Sequence, residues 1–194
     1  MRKVAAGLWQ SGALLARLHG AQRSWYPWLA ETGSLTARLI DHSLSFRVQK
    51  LAQAPALCLA DEAALLGLRR VQKVHQREVI LRCDERPMVY GHTCVPWQAT
   101  SQEWPLFSSL GERSLGTTLF YDPLVTRSAF EFARLPQQHA LRQRLAKVVP
   151  ASADARYLWA RRSLFFRRGG HLLVTEVFLP EVLELQHTPR KFEI

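Results

Sequence analysis

Two strand-length runs, ARYLWARRSLFFRR and HLLVTEVFLP, meet at Gly169-Gly170 near the C-terminus. Glycines between two alternating apolar runs let a chain double back, so this stretch commits the fold to an antiparallel hairpin. The same pattern recurs upstream, where VQKVHQREVILRC (71–83) and PMVYGHTCVPW (87–97) flank the turn-like link DERP. Strand candidates at LSFRVQKLAQA and TRSAFEFARL bring the number to six. Helical patterns fall between them. SWYPWLAETGSLTARLIDH reads as two pieces broken at Thr32-Gly33, with Ser34 as N-cap. DEAALLG is a short helix capped by Asp61, WPLFSSLGERSLGTTLFYD two segments broken at Gly111, and QQHALRQRLAKVVPASADA a helix running into a loop. Hairpin-linked strands with helices gathered between them predict an α+β fold on a six-stranded antiparallel sheet.

Within HLLVTEVFLP, alternation places Glu176 on one face with Leu172, Val174 and Phe178, while Leu173, Thr175, Val177 and Leu179 line the other. A carboxylate between two covered faces needs a partner, because burying it unpaired costs several kcal/mol of hydration, roughly, or forces it to take a proton. In QREVILRC, Arg77 sits likewise on an apolar face with Val79, Leu81 and Cys83. Its planar guanidinium fits a carboxylate at any accessible pH. Two arrangements satisfy these residues: a direct Arg77–Glu176 pair, or a small cavity in which each grips one end of a ligand. SLTARLI and ERSLGTTLF add two helix starts, at Leu35 and Leu115-Gly116, where unpaired backbone N–H groups favour an anion.

The net charge of +10 points to an anionic partner: nucleic acid, a membrane surface or an acidic small molecule. Nucleic acid is set aside, because the basic pairs Arg69-Arg70, Arg161-Arg162 and Arg167-Arg168 are dispersed, form no recognised motif, and alternation sends Arg161 and Arg162 to opposite faces. No apolar stretch approaches bilayer-spanning length, so no stable membrane insertion is expected. Cys58, Cys83 and Cys94 are odd in number, contain no CxxC pair and sit among apolar residues. They are read as core residues of a cytoplasmic chain, not as a disulfide or metal framework. His75 and His92 lack a third ligand at metal spacing. Trp97, Trp104 and Trp159 are read as core, and the RRG at 167–169 as a solvated turn. An acid-free basic arm (1–24) precedes the expected domain (25–185), a polar tail (186–194) follows it, and a monomer is expected.

Taken in order, SLTARL, QREVILRC with PMVYGHTCVP, SLGTTLF, TRSAFEF and LLVTEVFLP resemble the chorismate pyruvate-lyase family over about residues 25 to 183. The resemblance implies a six-stranded antiparallel sheet with helices folding over an internal ligand site. It also implies a lyase that converts chorismate to 4-hydroxybenzoate and pyruvate for ubiquinone synthesis, a reaction calling for no cofactor or metal. Carried over by position, Arg77 would hold the ring carboxylate and Glu176 would lie near the ring hydroxyl, as the two catalytic candidates. Leu35 and Leu115 would add backbone N–H contacts to substrate. The chain departs from the family pattern at Leu35, often Met, and at Gly91-His92-Thr93, usually GRT; residues 136–155 look longer than in compact members. The same architecture occurs in ligand-sensing domains of transcription regulators, so the alternative is a non-catalytic binder of a small aromatic acid. The 24 residues ahead of the resemblance are too few for a regulator's DNA-binding head.

Overall fold

The computed structural model describes residues 7–185 apart from 101, 106 and 108; the expected polar tail lies outside the described residues. In chain order the elements are helices α1 (Tyr26–Leu29) and α2 (Leu35–Asp41), strand β1 (Phe46–Leu57), helix α3 (Ala60–Ala63) and the hairpin β2 (Lys73–Cys83)–β3 (Arg86–Pro96). Helix α4 (Leu115–Tyr121), strands β4 (Thr126–Arg127) and β5 (Glu131–Pro136), helix α5 (Ala140–Val148) and the hairpin β6 (Tyr157–Arg167)–β7 (Gly170–Phe178) complete the fold. The sheet order is β1-β2-β3-β7-β6-β4, with β5 also on β6, and every pairing is antiparallel.

The structure has seven strands where the sequence predicted six, because TRSAFEFARL is divided in two. Both pieces run along the same edge of β6, with Arg127 opposite Phe165 and Glu131 opposite Arg162. The register slips by one residue between them, and Ser128 bridges the slip by donating its N–H to Leu164 O and accepting the Leu164 N–H at Oγ. This is a bulge in one long edge strand. At the second hairpin the left-handed positions are Arg168 (φ 49°) and Gly169 (φ 85°), both positive as a tight hairpin turn demands. Gly170 already belongs to β7, and a Cβ there would come within 2.4 Å of Glu103 Cβ.

Both faces of the sheet are covered. Leu14, Leu18, Trp28, Leu29, Leu35 and Leu39 pack over Val48, Val79, Leu81, Trp159 and Phe178 on one face. Leu141 and Leu145 of α5 pack with Ile80, Tyr90, Ala160 and Val177 on the other. The N-terminal segment takes part: Gln10 exchanges backbone hydrogen bonds with Phe132, and the 3-10 helix Gly12–Arg17 presents buried Leu14. The three cysteines are buried thiols, and Trp104 and Trp159 are core. Trp97 is not: it is 56% exposed and stacks on His75 with ring centroids 4.2 Å apart, because it falls just past β3, where alternation no longer directs it inward. Asp61 caps no helix. It accepts from Trp9 Nε1 and pairs with Arg162, while Glu62 reaches back to the Leu59 N–H. Among the described residues of WPLFSSLGERSLGTTLFYD none before Gly111 is helical, and Leu115–Tyr121 is. Among the described residues no helix is long and apolar enough to cross a membrane.

Candidate active site

On the helix-covered face of the sheet the apolar packing is interrupted by a cavity of about 660 Å³, its mouth included. Its floor is a patch of residues on neighbouring strands: Arg77 and Val79, Gly91 and Thr93, Val174 and Glu176, Arg161 and Ser163. The register explains the patch. Arg77 faces Thr93, which faces Val174, which faces Ser163; two residues along, Val79, Gly91, Glu176 and Arg161 form the parallel row. Gly91 keeps the centre of the floor low, since a Cβ there would lie 3.0 Å from Val79 Cγ2.

Arg77 and Glu176 therefore lie two strands and two residues apart, roughly 12 Å between backbones at ordinary sheet spacings. They do not pair. The partner of Glu176 is Arg161, directly opposite on β6, whose Nε meets Oε2 at 2.5 Å. Arg161 is anchored in turn by the carbonyls of Trp28, Leu29 and Glu31 through Nη1. Arg77 is 2% exposed and faces no carboxylate among the described residues. Its Nη2 donates to the carbonyls of Gly111 (3.0 Å) and Arg113 (2.8 Å), and its buried Nε has no partner. Burial lowers its pKa, yet a guanidinium starts so high that it stays charged. An unneutralised buried cation with a spare donor is what a carboxylate ligand would complete.

The roof is made of the starts of α2 and α4. Leu35 and Leu115 are the first residues of these helices, and both line the cavity. Ser34 caps α2 by accepting the Ala37 N–H at 3.2 Å, and Thr36 Oγ1 lies 2.7 Å from Ser114 Oγ, tying the two helix starts together. Gly116 permits that approach, because an added Cβ would stand 3.3 Å from Ser34 Oγ. Ahead of α2, Glu31 accepts the Gly33 N–H at 2.6 Å and pairs with Arg38 at 3.1 Å. Burial alone would raise its pKa, but the Gly33 N–H, Arg38 and Arg161 together hold it below the usual value.

All four sequence-derived candidates, Arg77, Glu176, Leu35 and Leu115, thus border one cavity. Sequence reasoning missed three further side chains there, Arg127, Phe130 and Arg161. Arg161 was seen only as a residue facing away from Arg162. Arg127 follows the loop after α4; its Nη2 donates to Thr32 O, and its guanidinium lies 4.2 Å from the Phe130 ring centroid. Arg161 covers the same ring at 4.4 Å. Burial and the neighbouring Arg161 charge lower the Arg127 pKa, with Glu176 opposing. Three arginines against one glutamate leave the lining with a formal excess of two positive charges. The His92 position points to the opposite face of the sheet, towards Glu62 and Glu78, and takes no part in the lining.

An antiparallel sheet with short helices closing one face over a cationic, partly apolar cavity defines a class of α+β domains. The fold is shared with the effector domain of PhnF from Mycobacterium smegmatis (TM-score 0.51, 18% identity, 78% of this chain and 91% of that one). It is also shared with a GntR-family transcriptional regulator from Bacillus cereus (TM-score 0.52, 11% identity, 75% and 99% covered). Within that class the chain belongs to the chorismate lyase family, whose model matches residues 5–187. It is 53% identical over 156 residues to a probable chorismate pyruvate-lyase of Cupriavidus metallidurans, covering 80% of this chain and 73% of that protein. To the probable chorismate pyruvate-lyase of Nitrosospira multiformis it is 39% identical over 180 residues, 90% of this chain and 99% of the relative.

Proposed function

We propose that this chain is a chorismate pyruvate-lyase that holds the two carboxylates of chorismate at opposite ends of the cavity. The observation that carries the reading is the distribution of charge: Arg77 on β2 at one end, Arg127 and Arg161 with Glu176 at the other, an excess of two positive charges for a dianion. Arg77 takes the ring carboxylate through its spare donors, and Leu35 and Leu115 add backbone N–H groups from the roof. The ring hydroxyl lies para to that carboxylate and so reaches Glu176. The enolpyruvyl ether is attached beside the hydroxyl, which brings its carboxylate to Arg127 and Arg161.

The chemistry is an elimination that makes an aromatic ring. The proton on the hydroxyl-bearing carbon passes to the methylene carbon of the enolpyruvyl group. The C–H electrons become a ring double bond, the ring C–O bond breaks, and the released fragment is pyruvate. No electron enters or leaves, so the chain has only to orient the dianion, exclude water and hold the proton path short. Glu176, bonded to Arg161, accepts a hydrogen bond from the ring hydroxyl and fixes the ring against the migrating proton.

The assignment is tested by incubating the purified chain with chorismate and following 4-hydroxybenzoate by absorbance and pyruvate by a coupled assay. Equal amounts of the two are expected. Intact folded protein that binds 4-hydroxybenzoate and makes neither product would instead be a non-catalytic binder of an aromatic acid. The same reading makes the chain a cytoplasmic enzyme, acting as a monomer at the first step of ubiquinone synthesis; sedimentation across a concentration series checks the monomer.

A further inference from the structure

On the sheet face away from the cavity, Glu62 of α3 meets His92 and Cys94 of β3, all three buried. Cys94 Sγ lies 3.1 Å from His92 Nε2 and 3.5 Å from Glu62 Oε2. His92 Nε2 lies 3.1 Å from Glu62 Oε1. A zinc-class ion, bonded at about 2.3 Å to sulfur and about 2.0–2.1 Å to nitrogen or oxygen, sets tetrahedral donors about 3.3–3.6 Å apart. Each pair of residues thus brings two donor atoms to about that separation, the sulfur meeting one Glu62 oxygen and the imidazole the other, and one donor atom from each of the three lies within 4.8 Å of the other two.

Their surroundings fit the same chemistry. Glu78 Oε1 stands 3.4 Å from His92 Nδ1 and is itself held by Arg144 at 2.7 Å, the arrangement in which a carboxylate orients the far nitrogen of a ligating histidine. The Leu59 N–H fixes Glu62 Oε2 at 2.7 Å. Glu62 Oε1 and His92 Nδ1 are buried, and their contacts to His92 Nε2 and Glu78 Oε1 fall outside hydrogen-bond geometry. A carboxylate and a thiolate together neutralise a dication, so the filled site carries no net charge into the interior.

We propose that Glu62, His92 and Cys94 bind one zinc-class divalent cation, a structural site that clamps α3 onto β3 on the side of the sheet away from substrate. Water or the second Glu62 oxygen fills the fourth position. Binding displaces two protons, one from the Cys94 thiol and one from His92 Nε2, and both leave to solvent.

The test is metal content by plasma mass spectrometry on full-length chain purified without chelator, beside the Cys94→Ala and His92→Arg variants. About one zinc per chain is expected in the unaltered protein and less than about a tenth in either variant. His92→Arg keeps a cation between Glu62 and Glu78 and so keeps the fold, which unchanged 4-hydroxybenzoate binding would verify. Chain grown with cobalt should show a thiolate-to-cobalt charge-transfer band that disappears in Cys94→Ala. Metal content far below one per chain and no different from His92→Arg overturns the proposal, as does a cobalt spectrum that Cys94→Ala leaves intact. In either case the cluster is an ion network around a protonated His92.

Discussion

Arg77 and Arg127 sit at opposite ends of one cavity, and removing each has a distinct expected outcome. Arg77→Ala strips the proposed ring-carboxylate anchor, so it should weaken chorismate and 4-hydroxybenzoate alike, by roughly tenfold to a hundredfold for a charge-assisted bond of about 1.5–3 kcal/mol. Arg127→Ala should raise KM for chorismate by about tenfold while leaving the Kd of 4-hydroxybenzoate within about twofold, because the product lacks the second carboxylate. Equal effects on both ligands would refute the two-ended reading. Glu176→Gln preserves a hydrogen-bonding group at the ring hydroxyl but removes the charge opposite Arg161. Expected is a kcat lower by roughly tenfold to a hundredfold with a smaller change in KM, measured by product absorbance; a complete loss would instead make the carboxylate an obligatory proton carrier. Two departures from the family pattern also belong to this scale. Leu35 lines the cavity as the first residue of α2, so the proposed main-chain contact would survive the exchange of Met for Leu. His92 lies behind the sheet between Glu62 and Glu78, where an arginine would answer the same two charges without touching substrate.

Among the elements, the sheet supplies a rigid floor and the helix starts a roof held by few bonds. Gly91→Val would place bulk at the centre of the floor, where even a Cβ meets Val79 at 3.0 Å. KM for chorismate should rise at least about tenfold, since overpacking a fitted site costs about 1–3 kcal/mol. On the roof, Glu31 latches the turn before α2 through the Gly33 N–H and Arg38. Its folded pKa lies below the ordinary glutamate value of 4.5, so its contribution is complete above that value and is lost as pH falls through the lower folded one. Thermal melts between about pH 6 and about pH 3 should separate the unaltered chain from Glu31→Gln near neutrality and bring the two together at the acid end. A gap that widened on acidification would reverse the sign and remove Glu31 as a latch.

Across the whole molecule, the N-terminal segment is part of the core: Leu14 is 6% exposed and Leu18 is 4% exposed, both against the residues that roof the sheet. Leu14→Ala should cost about 2–4 kcal/mol in urea unfolding, as for a core leucine; a cost under about 0.5 kcal/mol would mark a detachable arm. The hairpins, the α+β class, the two-faced burial of HLLVTEVFLP and the inward Arg77 were legible because strand alternation has a period of two and is written locally. The partner of Glu176 was also within reach. With the turn at Arg168-Gly169, Arg167 faces Gly170, and six residues outward on each strand Arg161 faces Glu176. Reading the turn one residue later hides that pair, since a single slip changes every cross-strand neighbour. The break in TRSAFEFARL, the exposure of Trp97 and the arrival of Arg127 at the site carry no local signature. Nor does the meeting of Glu62 with His92 and Cys94. Each depends on where a distant element docks. The sequence by itself determined which strand residues share a face and that two opposite charges lie among apolar ones. Only the tertiary structure decided that Arg77 and Glu176 stand about 12 Å apart with a ligand-sized space between, because strand order sets that distance and no periodicity along the chain records it.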